Sequence, residues 1–341
     1  MSKRFLVLGY FGYRTNQLDG QTIKTRNLYD LLKQNMELVS CFDTQDCRYN
    51  KASFFKMLYQ ICKCDLLCYV PAHNNLKFIF PIVFLLAKIS RTKIQYFVVG
   101  GWLNEFLRNL PVHRWMLKHI DKIYPETKLM CENLSEEHGI TNTQVFPNFR
   151  ISDFKPVFQE NAEGTLRVVF MARVNKMKGY ETVFSFADYA MKEGLDVIID
   201  FYGPILDEDK EDFMSRISQC SIASYKGALE PSAINSTLSS YDLLVLPTRY
   251  YTEGFPGSIL DAYISGIPVI VTRWKHAHEF VIDGQTGYIV PFENPQELFN
   301  HAISTLYDDR ALLFQMKKSA CDFSGYFKSE YALTIIKNNI S

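Results

Sequence analysis

Along the chain, apolar residues come in short runs separated by stretches where they recur at three- or four-residue spacing. The runs at 5–9, 38–42, 66–70, 94–99 and 122–124 are short and bounded by turn residues, which predicts strands. Ile23, Leu28, Leu31 and Leu32 fall on one helical face and predict a helix over 23–32. The stretch 143–148 ends in Pro147-Asn148 and closes this half. A polar segment with one proline and one glycine, 153–164, reads as a linker.

The same rhythm then restarts. Strands are predicted at 166–171, 196–202, 223–225, 243–247, 269–272 and 288–290, and helices at 180–193 and 208–218. Strands alternating with helices imply parallel sheets covered on both faces. The expectation is an α/β chain of two Rossmann-like, doubly wound domains, 1–155 and 156–325, facing a central cleft. The tail 326–341 has a helical pattern and is expected to pack back on the first domain. Such sheets bind ligands beyond the carboxyl ends of their strands, so the cleft is the expected site.

Composition narrows this picture in three ways. The 341 residues are 47% hydrophobic, enough for large cores and against disorder. The longest apolar run, 78–87, contains Pro81 and is well short of the ~20 residues that span a bilayer. It reads as a buried helix, with a membrane-dipping helix as the second reading. Residues 1–150 hold 20 Lys and Arg against 12 Asp and Glu, and residues 151–341 hold 17 against 25. A basic half can attract phosphates or an anionic lipid surface, and scattered solvated charges would give the same count. The eight cysteines, in a long core-rich sequence with no secretory leader pattern, read as reduced cytosolic thiols. Cys62, Cys64 and Cys68 lack paired C-x-x-C spacing and neighbouring histidines, so they do not read as a metal site.

Two segments carry chemistry. Glu253-Gly254-Phe255-Pro256-Gly257-Ser258-Ile259-Leu260-Asp261 follows the predicted strand 243–247. Gly254 and Gly257 allow close backbone approach, and Pro256 suits the first turn of a helix. A helix starting near Gly257 would aim free N–H groups and its positive dipole end at a phosphate. Two acids beside an anion site make sense as acceptors for hydroxyls of a sugar and a ribose. Acids at a helix start are also favoured by the dipole alone. The second segment, Arg173 to Lys178-Gly179, follows the strand 166–171 and contributes Arg173, Lys176 and Lys178. An arginine fork and lysine point charges suit a diphosphate; alone, this would be a solvated basic loop. Together the segments are laid out to hold a nucleotide diphosphate.

This combination, with Gly266-Ile-Pro-Val-Ile and Asp283-Gly-Gln-Thr-Gly-Tyr-Ile-Val-Pro, resembles the retaining glycosyltransferases of family four, which have the GT-B fold. In the first domain, Asp19-Gly20-Gln21 looks like the family's glycine loop. The resemblance implies that Arg173 and Lys178 neutralise the donor diphosphate. It further implies that Glu253 binds donor-sugar hydroxyls and Asp261 the ribose. Phe255, Gly257 and Ser258 would contact sugar or phosphate, and Gly20 the diphosphate. The donor would be a nucleotide sugar, UDP-linked by family frequency, and no cofactor or metal is implied. Asp207-Glu208-Asp209 mimics a metal-binding Asp-x-Asp but reads as acids at a helix start.

Two positions depart from the family. Its second acid is usually Glu, where this chain has Asp261. Many relatives place a His after a first-domain strand, where this chain reads Val99-Gly100-Gly101-Trp102. His73 could face the cleft in its place or be a structural loop residue. Lys24 is expected near the cleft mouth, meeting an anionic acceptor. That acceptor would be a glycan or lipid-linked saccharide, in bacterial surface-polysaccharide synthesis on the cytoplasmic membrane face, with peripheral membrane contact. Competing readings are a GT-B-like epimerase or phosphorylase and a non-catalytic sugar-nucleotide-binding subunit. Gly9-Tyr-Phe-Gly12 lacks the G-x-G-x-x-G fingerprint of nicotinamide enzymes, and there is no Walker A loop. Neither a helix-turn-helix nor a strongly basic face points to nucleic acid.

Overall fold

The computed structural model describes residues 2–15, 17, 19–158 and 164–340. Positions 159–163 of the predicted linker and positions 16 and 18 lie outside the described residues. Contacts divide the chain into unit 1, Met1–Ile151 with Phe327–Ser341, and unit 2, Ser152–Tyr326.

Unit 1 runs β1 (Arg4–Gly9), α1 (Gly20–Asn35), β2 (Leu38–Asp43), α2 (Asp46–Tyr49), α3 (Ala52–Lys63), β3 (Leu66–Val70) and α4 (His73–Phe78). It continues α5 (Phe80–Ser90), β4 (Lys93–Phe97), α6 (Leu103–Leu107), α7 (Pro111–Lys118), β5 (Lys122–Tyr124) and α8 (Lys128–His138). Its strands are all parallel, in the order β2-β1-β3-β4-β5. A strand covered on both faces must be apolar throughout, and β3, Leu-Leu-Cys-Tyr-Val, is buried at every position. Alternate residues feed opposite cores. Leu6, Leu8, Leu67 and Tyr69 pack beneath α3, α5 and α7 through Met57, Ile61, Val83 and Leu117. Phe5, Val7, Cys68 and Val70 pack on the other side with Leu28, Leu31 and Leu32 of α1.

Unit 2 runs β6 (Leu166–Met171), α9 (Tyr180–Glu193), β7 (Val197–Tyr202), α10 (Lys210–Gln219), β8 (Ala223–Tyr225), α11 (Ile234–Leu238) and β9 (Leu243–Leu246). It ends with α12 (Gly257–Ile264), β10 (Val269–Thr272), α13 (Ala277–Phe280), β11 (Gly287–Val290), α14 (Gln296–Asp308) and α15 (Arg310–Ser324). Its six strands are parallel in the order β11-β10-β9-β6-β7-β8. The chain leaves β6 toward one edge and returns at β9 to build the other, so β6 and β9 flank the point where the winding reverses. A crevice opens at such a point, beyond the carboxyl ends of the strands. In unit 1 the reversal lies between β1 and β3.

The last helix, α16 (Ser329–Asn338), belongs to unit 1. Its Ala332, Ile335 and Ile336 complete the core on the α1 side. Just beyond it, Asn339 accepts from Gln95 at 3.0 Å and donates to Gln144 at 2.9 Å.

The run 78–87 corrects the buried-helix reading. It is the end of α4 followed by α5, and Pro81 sits in the first turn of α5, where its missing N–H costs no helical bond. Phe80, Val83, Phe84 and Ala87 are buried, while Phe78, Ile82 and Leu85 are exposed. No helix of the described residues is long and apolar enough to cross a membrane.

Candidate functional site

After β6 the chain makes a tight turn built by local hydrogen bonds. Asn175, buried, accepts the Lys178 N–H on its side chain at 2.8 Å, and Asp209 accepts the Lys176 N–H at 3.1 Å. Gly179 follows with φ +84°, and a Cβ there would stand 1.9 Å from the Pro247 carbonyl oxygen. Only glycine meets both conditions, and its bareness lets the loop after β6 press against the loop after β9. Met177 O accepts the Arg249 N–H at 2.8 Å and the Thr248 hydroxyl at 3.3 Å across that seam.

The contact brings together two residues 75 apart in sequence. Lys178 Nζ donates to Glu253 Oε2 at 2.5 Å, with each side chain 18% exposed. Thr248 Oγ1 lies 3.3 Å from the same oxygen and shares its one proton between it and Met177 O, and the Lys178 ammonium lies 5.4 Å from the Tyr250 ring centre. Helix α12 begins at Gly257 directly after this cluster, and its N-cap, Pro256, offers no side-chain hydrogen bond to the first turn. Helix starts leave N–H groups without intrahelical partners, so Gly257 and Ser258 open α12 as an anion-receptive end. Phe255 is anchored inward, stacked on Phe280 with ring centres 4.0 Å apart. Asp261 sits in the second turn and is buried, and its carbonyl accepts from Asn235 and Ser265. Arg173 lies at the start of the β6 loop and is exposed.

The other expected residues lie in unit 1. Gly20 is the first residue of α1, after Asp19, whose carboxylate caps the Thr22 N–H at 2.9 Å. A Cβ on Gly20 would meet nothing within 4 Å, so packing does not require a glycine there. His73 opens α4 just after β3, exposed, with its ring 5.1 Å from Trp102 and 4.8 Å from Phe106. Lys24 is a correction. Its ammonium is buried, 2.6 Å from Glu126 and 2.8 Å from the Val98 carbonyl. The inner face of α1 turns it into the strand ends, so it is committed to an internal ion pair and offers no charge to an acceptor.

Asp209 of the acidic run serves the β6 loop through its bond to Lys176, a structural use of the acid. Cys64 and Cys68 are core residues, and burial pushes the Cys64 thiol up to about 12. A hollow of about 340 Å³ in unit 2 is lined by Thr165, Arg167, Asp242, Gly266 and Lys317. Thr165, Arg167, Asp242 and Gly266 precede or begin β6, β9 and β10, and Lys317 reaches Asp242 from α15; this is the opposite end of the sheet from Lys178 and Glu253, so the hollow is separate from the loop cluster.

Three supporting residues escape a motif reading: Thr248, Asn175 and Asp209. Asn175 had a legible signal, an asparagine three residues before a backbone N–H and four before a glycine. Thr248 and Asp209 act through partners on other loops, which no local spacing reveals.

The sequence profile of the glycosyl transferases group 1 matches residues 151–322, half of the chain. The chain belongs to the glycosyl transferases group 1. The matched span holds every element of the β6–β9 cluster. The chain is also 26% identical over 228 residues to the N,N'-diacetylbacillosaminyl-diphospho-undecaprenol alpha-1,3-N-acetylgalactosaminyltransferase of Campylobacter jejuni, covering 66% of this chain and 54% of that one. It is 22% identical over 186 residues to the D-inositol 3-phosphate glycosyltransferase of an Arthrobacter species, covering 51% and 44%. This group 1 chain thus spans about half the length of the curated relatives it matches. In fold, it is similar to the structure of HepE of Anabaena in complex with UDP-glucose, with a TM-score of 0.76, 16% identity and 99% of each chain covered. The sucrose-phosphate synthase of Thermosynechococcus elongatus gives a TM-score of 0.76 at 15% identity, with 98% of each chain covered. The two parallel-sheet units of this group 1 protein are therefore those of the GT-B fold.

Proposed function

We propose that the protein transfers a sugar from a nucleotide diphosphate donor, UDP-linked, to a glycan or lipid-linked saccharide, with retention of configuration, in surface-polysaccharide synthesis. The observation that carries this reading is the Lys178–Glu253 contact at the carboxyl ends of β6 and β9, beside the uncapped start of α12. It joins a cation for phosphate, an acid for hydroxyls and a helix end for an anion in one small region. Family membership, the UDP-glucose bound by HepE and the lipid-diphosphate acceptor in the name of the Campylobacter jejuni relative support donor class and setting.

Breaking the sugar–phosphate bond leaves negative charge on the departing nucleotide diphosphate. Arg173, Lys178 and the N–H groups at Gly257 and Ser258 meet that charge, Lys178 turning from Glu253 to the phosphate, which stabilises the departing group electrostatically. Glu253 engages Lys178 and Thr248 through Oε2, and Oε1 serves to accept a sugar hydroxyl. Asp261 holds the ribose, the Phe255 backbone contacts the sugar, and Gly20 lets backbone approach the diphosphate. His73 faces the acceptor. No protein nucleophile is assigned. With a lipid-linked acceptor the enzyme would work at the cytoplasmic face of a membrane.

The test is turnover of a panel of nucleotide sugars with the purified protein, following donor hydrolysis and the anomeric configuration of product by NMR. A transferase consumes a UDP-sugar above background, whereas a pure binding subunit does not. Glu253→Ala is expected to reduce turnover about 10²–10³-fold, the scale for losing one preorganised polar contact, while UDP binding stays within a few-fold. Undiminished turnover would remove Glu253 from the sugar site.

A further inference from the structure

Helices α3, α5 and α7 lie on the same face of the unit 1 sheet and bury their inner residues in one core. Their outer faces are apolar as well. On α5, Ile82, Leu85 and Ile89 recur at helical spacing and are all exposed, Ile89 by 71%, with Phe78 continuing the row one turn earlier. On α3, Phe55 and Tyr59, one turn apart, are 71% and 65% exposed. On α7, Val112 and Trp115 are also exposed. The three rows are neighbours: Thr92, just past α5, donates to Ile61 O of α3 at 3.0 Å, and Phe84 of α5 meets Trp115 of α7 edge-on at 5.6 Å. A helix apolar all round is ordinarily buried all round, and α5 is covered on one side only.

Charge tells what the open side fits. Residues 51–119 hold ten Lys and Arg and two Asp and Glu. The other residues of 1–150 hold ten of each sign, so the whole positive excess of that half lies in this segment. Several of the cations border the apolar rows. Lys63 stands over the Tyr59 ring at 5.7 Å, Lys77 over Phe78 at 5.3 Å and Lys88 over Phe84 at 5.4 Å. Lysine stems beside aromatic rings, with ammonium heads at their rim, match an acyl layer capped by anionic headgroups. A water-soluble protein partner of ordinary composition would not call for so one-sided a charge.

We propose that the outer face of α3, α5 and α7 docks on an anionic lipid bilayer, with Phe55, Ile82, Leu85, Ile89 and Trp115 entering the interface and the flanking lysines meeting lipid phosphates. No helix of the described residues is long and apolar enough to span the membrane; in this proposal the helices lie in its plane. The inference deepens the reading of a lipid-linked acceptor, on which it rests for its purpose, though its observations are those of this face alone.

The experiment is sedimentation of the full-length protein with vesicles of phosphatidylcholine containing about 30% phosphatidylglycerol, or of phosphatidylcholine alone, without donor or acceptor. Binding is expected to anionic vesicles, at least about tenfold weaker to neutral ones, and reduced by salt as surface charges are screened. The variant Ile82→Ser/Leu85→Ser/Ile89→Ser should lose at least about tenfold in binding while keeping its circular dichroism and UDP-sugar turnover on a soluble acceptor. A readout free of that variant is tryptophan fluorescence, which should shift to the blue on adding anionic vesicles and do so no longer in Trp115→Phe. Absence of vesicle binding, or equal binding by the triple variant, would overturn the proposal. So would a dimer in light scattering that the triple variant converts to monomer with vesicle binding unchanged, which would assign the face to a second copy. Because vesicle binding and turnover are measured separately, loss of one leaves the other interpretable.

Discussion

Lys24 and Lys178 each stand within 2.6 Å of a glutamate, and their surroundings separate them. Lys24 and Glu126 are both buried, and burial pushes the Lys24 ammonium below its ordinary value while Glu126 opposes the shift. Removing one member of such a pair strands the other charge, at a cost of about 3–5 kcal/mol, whereas replacing both with apolar residues is close to neutral. Lys24→Met should therefore lower stability by that amount in urea unfolding, and Lys24→Met/Glu126→Met should recover most of it. Lys178 and Glu253 keep partial contact with solvent, so their pair can open to a ligand. Sequence spacing marked Lys178 and Glu253 because both sit in motifs after strands. It misplaced Lys24 because an isolated lysine reads as a solvated one, and its partner lies 102 positions away.

At the scale of elements, the seam between the β6 and β9 loops depends on the missing side chain of Gly179. In Gly179→Ala, a Cβ 1.9 Å from the Pro247 carbonyl and a φ of +84° both oppose the native turn. Such backbone strain is worth about 1–3 kcal/mol. The loops should separate and carry Lys178 away from Glu253, so UDP affinity is expected to fall at least tenfold by calorimetry while the far-UV spectrum stays native. A second junction has a pH signature. Arg4 donates to Asp65 from its guanidinium at 2.9 Å and its backbone N–H at 2.8 Å, tying β1 to the start of β3 and holding the Asp65 carboxyl at about 2. A carboxyl held below its ordinary value contributes stability above that value and loses it as pH falls through about 2. Asp65→Asn should flatten the acid side of the stability profile between about pH 4 and pH 2. The pair is half exposed, so the difference should shrink in high salt. The strands were legible because a covered parallel sheet demands continuous apolar runs, as in β3. The open side of α5 was not, because periodicity cannot tell a helix buried all round from one with an apolar outer face.

For the whole molecule, the decisive feature is the passage of the chain from unit 1 to unit 2 and back. α16 returns Ala332, Ile335 and Ile336 to a core begun by β1. Its helical pattern was readable, and its packing on the first domain was an expectation that the pattern alone did not specify, since no periodicity names the surface a helix will cover. Ending the chain after Tyr326 should cost unit 1 about 3–6 kcal/mol, from two isoleucines at about 1.5–3 kcal/mol each. Limited proteolysis should then cut within 1–151 and spare 152–326.

The same return path sets an order of synthesis. On the ribosome, residues 1–151 emerge first, yet their core lacks its last wall until 327–340 appear. Unit 2, contiguous from 152 to 326, can close as soon as it clears the exit tunnel. Of the two units, the one begun first is thus the one finished second. It waits as a sheet with one side incomplete, and that interval is where a chaperone would have the most to cover.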